Sequence, residues 1–543
     1  MDYALNPNNK ISLYGLYANL TEAQVRLTND TIVTAPRTNF GNGQVWYFGR
    51  SKYQQQQIYS TTLQGEHRLN KAFSLDWSAV YSKANNHIPD YGEYEHDGGT
   101  NANGMPIEDN TQKFNREWWR NSDRDLAGYF NLHYASKLGD IPYTLSAGGM
   151  YRDKQRENFY DGYTLDPVPP TGNAHLVWSG IDNFNWSVAT PQGSPYSANN
   201  YTAYEKISAA YAMAKVGIDK LEIVAGVRME NTDQGYATNL PETIAGKTAS
   251  YNYSNILPSA NFKYLLNDKS NLRLVYYSAI NRPSFFEPVP YGIQGDDFPE
   301  RGNYNVKHAT AQNVDFRYEL FMPRNAQLML GTFYKKIQDP IEYGFSFTGR
   351  QADVAYQPGN YGDASNFGFE LVFEKYIGKL GLRTNYTYTN SSITTSKRQS
   401  YRDENSQAQF RIIDEKRALQ GQSAHLANAA LLYKNTKTGT DVQFNWQFTG
   451  KRIALVSPYY DMDFWMKDMH TFDASAEQKL SRHIFLFAKV QNLFNAKYQV
   501  YINKTATNIN LMPFQDANSG QTLMQQNETG RVYQLGFRFD LNK

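Results

Sequence analysis

The stretch HIFLFAKVQNLFNAKY, residues 483–498, sets Ile484, Leu486, Ala488 and Val490 on one side of an extended chain, with Lys489 and Gln491 on the other. A side-chain period of two is the mark of a strand. One face so apolar beside one so polar asks for two different surroundings. The pattern recurs along the chain. In SLDWSAVYS (74–82), Leu75, Trp77, Ala79 and Tyr81 oppose Asp76, Ser78 and Ser82. In NVDFRYEL (313–320), Val314, Phe316, Tyr318 and Leu320 oppose Asn313, Asp315, Arg317 and Glu319. DVQFNWQFTGK (441–451) repeats the scheme with Val442, Phe444, Trp446 and Phe448. RVYQLGFRFDLN (531–542) sets Tyr533, Leu535, Phe537, Phe539 and Leu541 against Gln534, Arg538 and Asp540. No helical-period segment of comparable length competes.

The 543 residues include 30 Phe, 42 Tyr and 8 Trp, yet the mean hydropathy of −0.65 is that of a polar protein. No apolar run approaches the roughly 18–20 residues of a transmembrane helix. A transmembrane barrel stays open to such a composition, because lipid-facing residues alternate with lumen-facing polar ones. The 54 basic and 52 acidic residues are well mixed, so no nucleic-acid surface is expected. The lack of cysteine rules out disulfides and thiolate metal sites. The opening MDYALNPNNK has neither a basic n-region nor an apolar h-region, so no signal peptide is visible.

Connections alternate in length. Short turns rich in Gly, Asn, Asp and Lys stand at 6–10, 69–72, 138–140, 217–220, 266–270, 323–325, 377–381, 437–439 and 480–483. Long polar connections are expected at 20–50, 90–123 and 158–200, and near 286–308, 396–424 and 499–529. Short turns at one end and long loops at the other match the two rims of an outer-membrane barrel. The fold expected is therefore all-β: one large antiparallel transmembrane β-barrel domain over 1–543, with about 18 complete strands and a tail at residues 1–5. A propeller would show a 40–50-residue repeat, which is absent, and sandwiches would not segregate long loops to one end. In a bilayer every backbone group must be paired, so the apolar faces meet lipid and the polar faces look into a lumen.

Four stretches then carry a family resemblance, in order. LEIVAGVRMENT (221–232), ILPSANFKYLLNDKSNLRLVYYSAINRPSFFEPVP (256–290), GNYNVKHATAQNVDFRYE (302–319) with GTFYKKIQDPIE (331–342), and VQNLFNAKY (490–498) resemble segments of TonB-dependent outer-membrane receptors. Tyr304 and His308 stand where the family favours proline, and the chain ends FDLNK where a terminal aromatic is usual. The resemblance implies a barrel of about 22 strands preceded by a plug domain and a TonB-box peptide. On that basis the chain is expected to be N-terminally truncated, lacking signal peptide, plug and roughly three to four strands.

The same resemblance implies a function without covalent chemistry. The receptor would sit in the outer membrane of a Gram-negative cell and capture a scarce nutrient at extracellular loops. It would import that nutrient with energy delivered by the TonB complex through the plug. A ferric siderophore is the first cargo expected, as the commonest in the family; haem, cobalamin and glycans stay open, as does a plug-less porin. No cofactor and no resident metal are expected. Partners are outer-membrane lipid, TonB, the nutrient and the barrel-assembly machinery. For the last, Gln534, Gly536, Phe539 and Leu541 resemble the assembly signal, although plain strand alternation accounts for them equally.

Ligand candidates are aromatic and arginine residues expected in loops or near strand tops: Trp46, Tyr47, Arg116, Trp118, Trp119, Arg120, Trp178, Trp186, Arg301, Tyr459, Tyr460 and Trp465. Flat rings can stack on sugars or catecholate rings, and arginines attract an anionic ferric chelate. An interfacial aromatic girdle needs the same residue types. Arg228, Arg317, Glu319 and Arg538 fall on the inward side by strand parity, where they are expected to hold the plug. The acidic run DYGEYEHDGG (90–99) reads more readily as a solvated loop tip than as a cation site. Enzyme motifs fail: Pro241 breaks a P-loop reading ahead of GKT (246–248), Thr348 breaks a nucleophile elbow at 344–349, and the nine histidines lack metal-ligand spacing.

Overall fold

A computed structural model of the protein describes residues 1–32, 43–100, 105–169, 176–294, 298–323, 326–347, 354–503 and 520–540. Its main wall is an antiparallel meander. The first half comprises β1 (Asp2–Asn6), β2 (Asn9–Ile32), β3 (Gly43–Arg68), β4 (Phe73–Thr100), β5 (Pro106–Leu138), β6 (Ile141–Pro167), β7 (Tyr201–Ile218), β8 (Leu221–Thr238) and β9 (Thr248–Asn267). Then come β10 (Ser270–Asn281), β11 (Ala309–Met322), β12 (Ala326–Gln338), β13 (Ala364–Ile377) and β14 (Leu380–Arg402). β15 (His425–Asn435), β16 (Thr440–Thr449), β17 (Met469–Lys479), β18 (Ile484–Gln491) and β19 (Val532–Phe539) complete it.

Among the described residues the main sheet has 21 strands, of which Trp186–Val188 and Ala408–Arg417 only extend ladders beside β6 and β14. The remaining 19 match the expected 18 plus a tail. Each strand pairs with its chain neighbours, and β1 and β19 stand at the two ends of the order.

Among the described residues the short connections fall at one rim, where the sequence placed them. Several need a left-handed residue, and Gly139 (φ 63) and Gly439 (φ 66) supply it without steric cost. The register fixes the faces. Phe130, Leu126 and Leu132 project from the outside of β5, level with Phe73 and Leu75 of β4, and Phe130 is 53% exposed. On β19, Tyr533, Leu535, Phe537 and Phe539 are all exposed on the corresponding face. The opposite side carries polar groups that reach across an intervening strand. Tyr211 Oη of β7 donates to Asn131 Oδ1 of β5 at 2.8 Å. His133 lies 2.7 Å from Asp76 Oδ1 and 2.8 Å from Ser146 Oγ.

Register puts all four inward candidates on this polar face, each in an ion pair. Arg228 meets Glu230 at 2.6 Å, and Arg273 meets Glu319 at 3.0 Å. Arg317 meets Glu370 at 3.4 Å, and Arg538 meets Glu477 at 2.7 Å. In the assembly-signal stretch, Gln534 pairs in register with Lys489 on that face while Phe539 points outward. The Phe487 ring lies over Gly536, where a Cβ would collide with it. Leu541 lies outside the described residues.

One expectation is corrected. The connections drawn at 20–50 and 90–123 are largely strand: β2 with β3 and β4 with β5 run on as tall hairpins. β5 alone has 33 residues, about 110 Å of chain, whereas crossing a bilayer takes about 9–11 residues. Above the apolar zone both faces meet water, so the hydrophobic alternation stops while backbone pairing continues. The acidic run 90–99 therefore lies in β4, with Asp90 paired to Arg116 at 2.6 Å and Glu93 to Arg50 at 2.9 Å.

Candidate functional site

At the long-loop rim the lumen is lined by segments that fold inward. Arg282 directly follows β10, and Pro283 cannot continue a ladder for want of an N–H. Its guanidinium is anchored on β8: Nη2 pairs with Glu230, which also accepts from Arg228 Nε, and Nε donates to Thr232 Oγ1 at 3.0 Å. Two resembling motifs, distant in sequence, thus form one network. Beyond it Val289 packs fully buried against Tyr201, Ala203, Tyr236 and Tyr291. A side chain at Gly302 would collide with the Val289 carbonyl. The two departures from proline have contacts of their own: Tyr251 Oη donates to Tyr304 O at 2.6 Å, and His308 stacks on Tyr253 at 3.8 Å. Arg282→Ala is expected to lower local stability by about 1.5–3 kcal/mol, the range for charge-assisted hydrogen bonds. Hydrogen exchange of 284–306 would rise while that of the β5–β6 ladder would not.

Beside this segment Phe285 meets two inward cations. Lys154 Nζ lies 4.8 Å from its ring centroid and the Arg156 guanidinium carbon 5.3 Å. Arg156 is also gripped by Asp123, at 2.6 and 2.7 Å. Lys154 has no ion pair among the described residues. Further up the same face Trp119 packs 4.4 Å from Tyr160 and donates from Nε1 to Glu117 Oε2 at 3.0 Å. Burial there pushes the Glu117 carboxyl above the usual carboxylate range. Sequence reasoning missed Lys154, Arg156 and Phe285. The alternate cations Arg152, Lys154 and Arg156 were the readable signal, since a period of two aligns them on one face.

The ligand candidates divide between two faces. Tyr47, Arg116, Trp118 and Arg120 project from the outside of the extended wall, while Trp46 and Trp119, one residue away, take the inside. Trp178 and Trp186 join the outer group: Tyr47 stacks on His96 at 4.8 Å, His96 on Trp178 at 4.5 Å, and Trp178 on Phe184 at 5.9 Å. Trp186 follows at 5.9 Å and Phe114 at 5.8 Å, and Arg116 covers Phe114 at 5.5 Å and Trp118 at 5.9 Å. A single aromatic stack thus pins the 176–188 segment to the outer wall.

The remaining candidates lie in segments over the mouth. Arg301 ends the short strand Pro299–Arg301, and Trp465 lies in Phe464–Met466 with Lys451 Nζ 5.6 Å from its ring. Tyr460 N donates to Arg398 O at 2.9 Å, and Tyr459 bridges the same residue. Phe345 joins these segments, 4.6 Å from Phe298 and 5.8 Å from Phe464. Beneath them Lys397 Nζ is buried 2.6 Å from both Asp463 and Glu415. Burial still pushes the Asp463 carboxyl above its ordinary range. Among the described residues no cluster of His, Asp and Glu is spaced to hold a metal ion.

These features define a membrane-spanning β-barrel whose mouth is lined and partly covered by its own loops. The family model for TonB-dependent receptor-like β-barrels matches residues 2–493, and the chain belongs to that family. It is a family of receptors and transporters rather than enzymes. Among solved structures, the siderophore receptor PiuA of Acinetobacter baumannii matches with a TM-score of 0.59 at 13% identity. That match covers 99% of this chain and 76% of PiuA. BauA, the ferric preacinetobactin receptor of the same organism, matches with a TM-score of 0.52 at 10% identity, over 98% of this chain and 72% of BauA. At such identities the likeness establishes the fold alone. No curated protein matches the sequence.

Proposed function

We propose that the protein is an outer-membrane receptor that captures a ferric siderophore at the lumen mouth and imports it with TonB-derived energy. The observation that carries the ligand class is the pair of inward cations, Lys154 and Arg156, set around the Phe285 ring. An anionic chelate with planar arms meets there both charge and a flat apolar surface. The names of PiuA and BauA, both iron-chelate receptors on this fold, support the reading. Trp46, Trp119, Arg301, Tyr459, Tyr460 and Trp465 extend the proposed capture surface. Tyr47, Arg116, Trp118, Arg120, Trp178 and Trp186 do not, because they sit on the outer wall or are stacked against it.

The test is uptake of radiolabelled iron, offered as catecholate and hydroxamate chelates, by cells making the full-length protein. Uptake of at least one chelate that stops when the proton-motive force is collapsed is the expected result. Uptake insensitive to that collapse, or none from any chelate, would overturn the reading. Within it, Lys154→Ala is expected to weaken chelate binding about tenfold, the worth of one partly desolvated cation–π contact with its charge. Reversing the charge of Arg116 and Arg120 together should leave affinity within about twofold, as exposed charges remote from a ligand are largely screened. Equal losses in both variants would contradict the assignment of faces.

A further inference from the structure

The outer wall carries a row of cations that neither the lumen nor the fold uses. On β5 the exposed outward residues run Leu132, Phe130, Leu126, and the next two exposed positions are Arg124 and Arg120. Across the ladder Lys83 stands opposite Arg124, and His87 opposite Arg120. All four side chains are exposed. Among the described residues none of Lys83, Arg120 and Arg124 makes an ion pair, and Arg120 only covers the Phe159 ring at 4.3 Å. The inner face of the same strands behaves differently, with Arg152 and Arg156 each held by an aspartate. Inside, Lys154 also lacks an ion pair among the described residues, but it stands between those two held arginines; outside, three unpaired cations lie together, beginning one outward step above the last apolar residue.

Two adjoining clefts of about 430 and 470 Å³ hold these groups. Lys83, Arg124, Gln155 and Tyr204 line the first, and His87, Arg120 and Phe159 the second, with Ser122 and Glu157 common to both. Glu157 is the one acid lining either cleft, so the three permanent cations leave an excess of positive charge. A belt of apolar side chains continued upward by cations and hydroxyls has the profile of a lipid molecule: chains below, a charged headgroup above. Cations near a membrane surface attract anionic headgroups, each strengthening binding several-fold. A soluble chelate heading for the lumen would have no reason to meet this face.

We infer that the outer wall between β4 and β6 binds a phosphate-bearing lipid of the surrounding leaflet through Lys83, Arg120 and Arg124, with the acyl chains lying along Leu126, Phe130 and Leu132. The inference rests on the membrane-spanning reading but not on the choice of cargo. The full-length protein in neutral detergent would be offered bisphosphorylated lipid A, the same lipid dephosphorylated, and inorganic phosphate. Retained lipid would be counted by native mass spectrometry. The wild type is expected to keep bisphosphorylated lipid A, to release the dephosphorylated form, and to resist competition by millimolar phosphate. The triple variant K83Q/R120Q/R124Q should bind about 100-fold more weakly, and the remote control K379Q should match the wild type. Equal retention by the triple variant, or displacement by phosphate alone, would overturn the lipid site while leaving the receptor reading intact. A wild type that does not enter a bilayer at all would overturn both.

Discussion

Glu342→Ala should destabilise the mouth by about 3–5 kcal/mol, the cost of leaving a buried charge without its partner. Arg417 grips Glu342 with two hydrogen bonds, Nη1 to Oε1 at 3.0 Å and Nη2 to Oε2 at 2.8 Å, and both side chains are only 3% exposed. Glu342 Oε1 also accepts from Gln420 N at 2.6 Å, and Gln420 Oε1 in turn accepts from Tyr343 N at 2.6 Å. One carboxylate therefore joins the hairpin strand Ile341–Phe347, the strand Ala408–Arg417 and the turn after it. Truncation would strand the guanidinium in a site that water does not reach. Denaturant unfolding followed by hydrogen exchange across 341–360 and 408–424 would register the loss. The double change Glu342→Leu with Arg417→Met should recover most of it, since an apolar pair of similar size needs no counter-charge. A double variant as unstable as the single one would mean that the pair matters for shape rather than charge.

Phe130→Arg should cost about 2–4 kcal/mol, the price of a cation at the middle of a barrel's lipid face. Phe130 sits midway along the outward apolar run of β5 between Leu126 and Leu132. Its neighbour Tyr129 is of similar size but points into the lumen, in register with Met150 and Ser78. Tyr129→Arg should therefore shift stability by no more than about 1 kcal/mol, the scale of an exposed substitution. Reversible unfolding in lipid bilayers would separate the two. Equal penalties would mean that both faces meet the same medium, which no spanning barrel allows.

The wall was legible in the sequence because the bilayer imposes a rule on every spanning strand. Leu486, Phe537 and Val314 alternate with polar residues since one face meets hydrocarbon and the other water, and short turns at residues such as Gly139 and Gly439 punctuate the rule. Above the apolar zone that rule lapses. In β5, Arg116, Glu117, Trp118 and Trp119 are polar or amphipathic in turn, so a strand there reads as a loop. Faces were lost for the same reason, and bulges made it worse: slips between Tyr53 and Gln55 and between Ile88 and Tyr91 break any count made along one strand. Hence Trp118 and Trp119 were grouped as one candidate site although they stand on opposite sides of the wall. The Arg282–Glu230 link was illegible for another reason. Both residues belong to recognisable motifs, but only the strand order brings them together across β9.

The sidedness of the wall is the claim on which capture, import and lipid binding all depend, and the cysteine-free sequence makes it directly measurable. Single cysteines at Phe130 and Tyr129, spin-labelled in protein reconstituted into bilayers, would be compared for access to oxygen and to a water-soluble nickel chelate. The label at 130 should collide with oxygen and be shielded from nickel, and the label at 129 should show the reverse. Nickel access at both positions, or the reversed assignment, would contradict a barrel that turns this face to lipid.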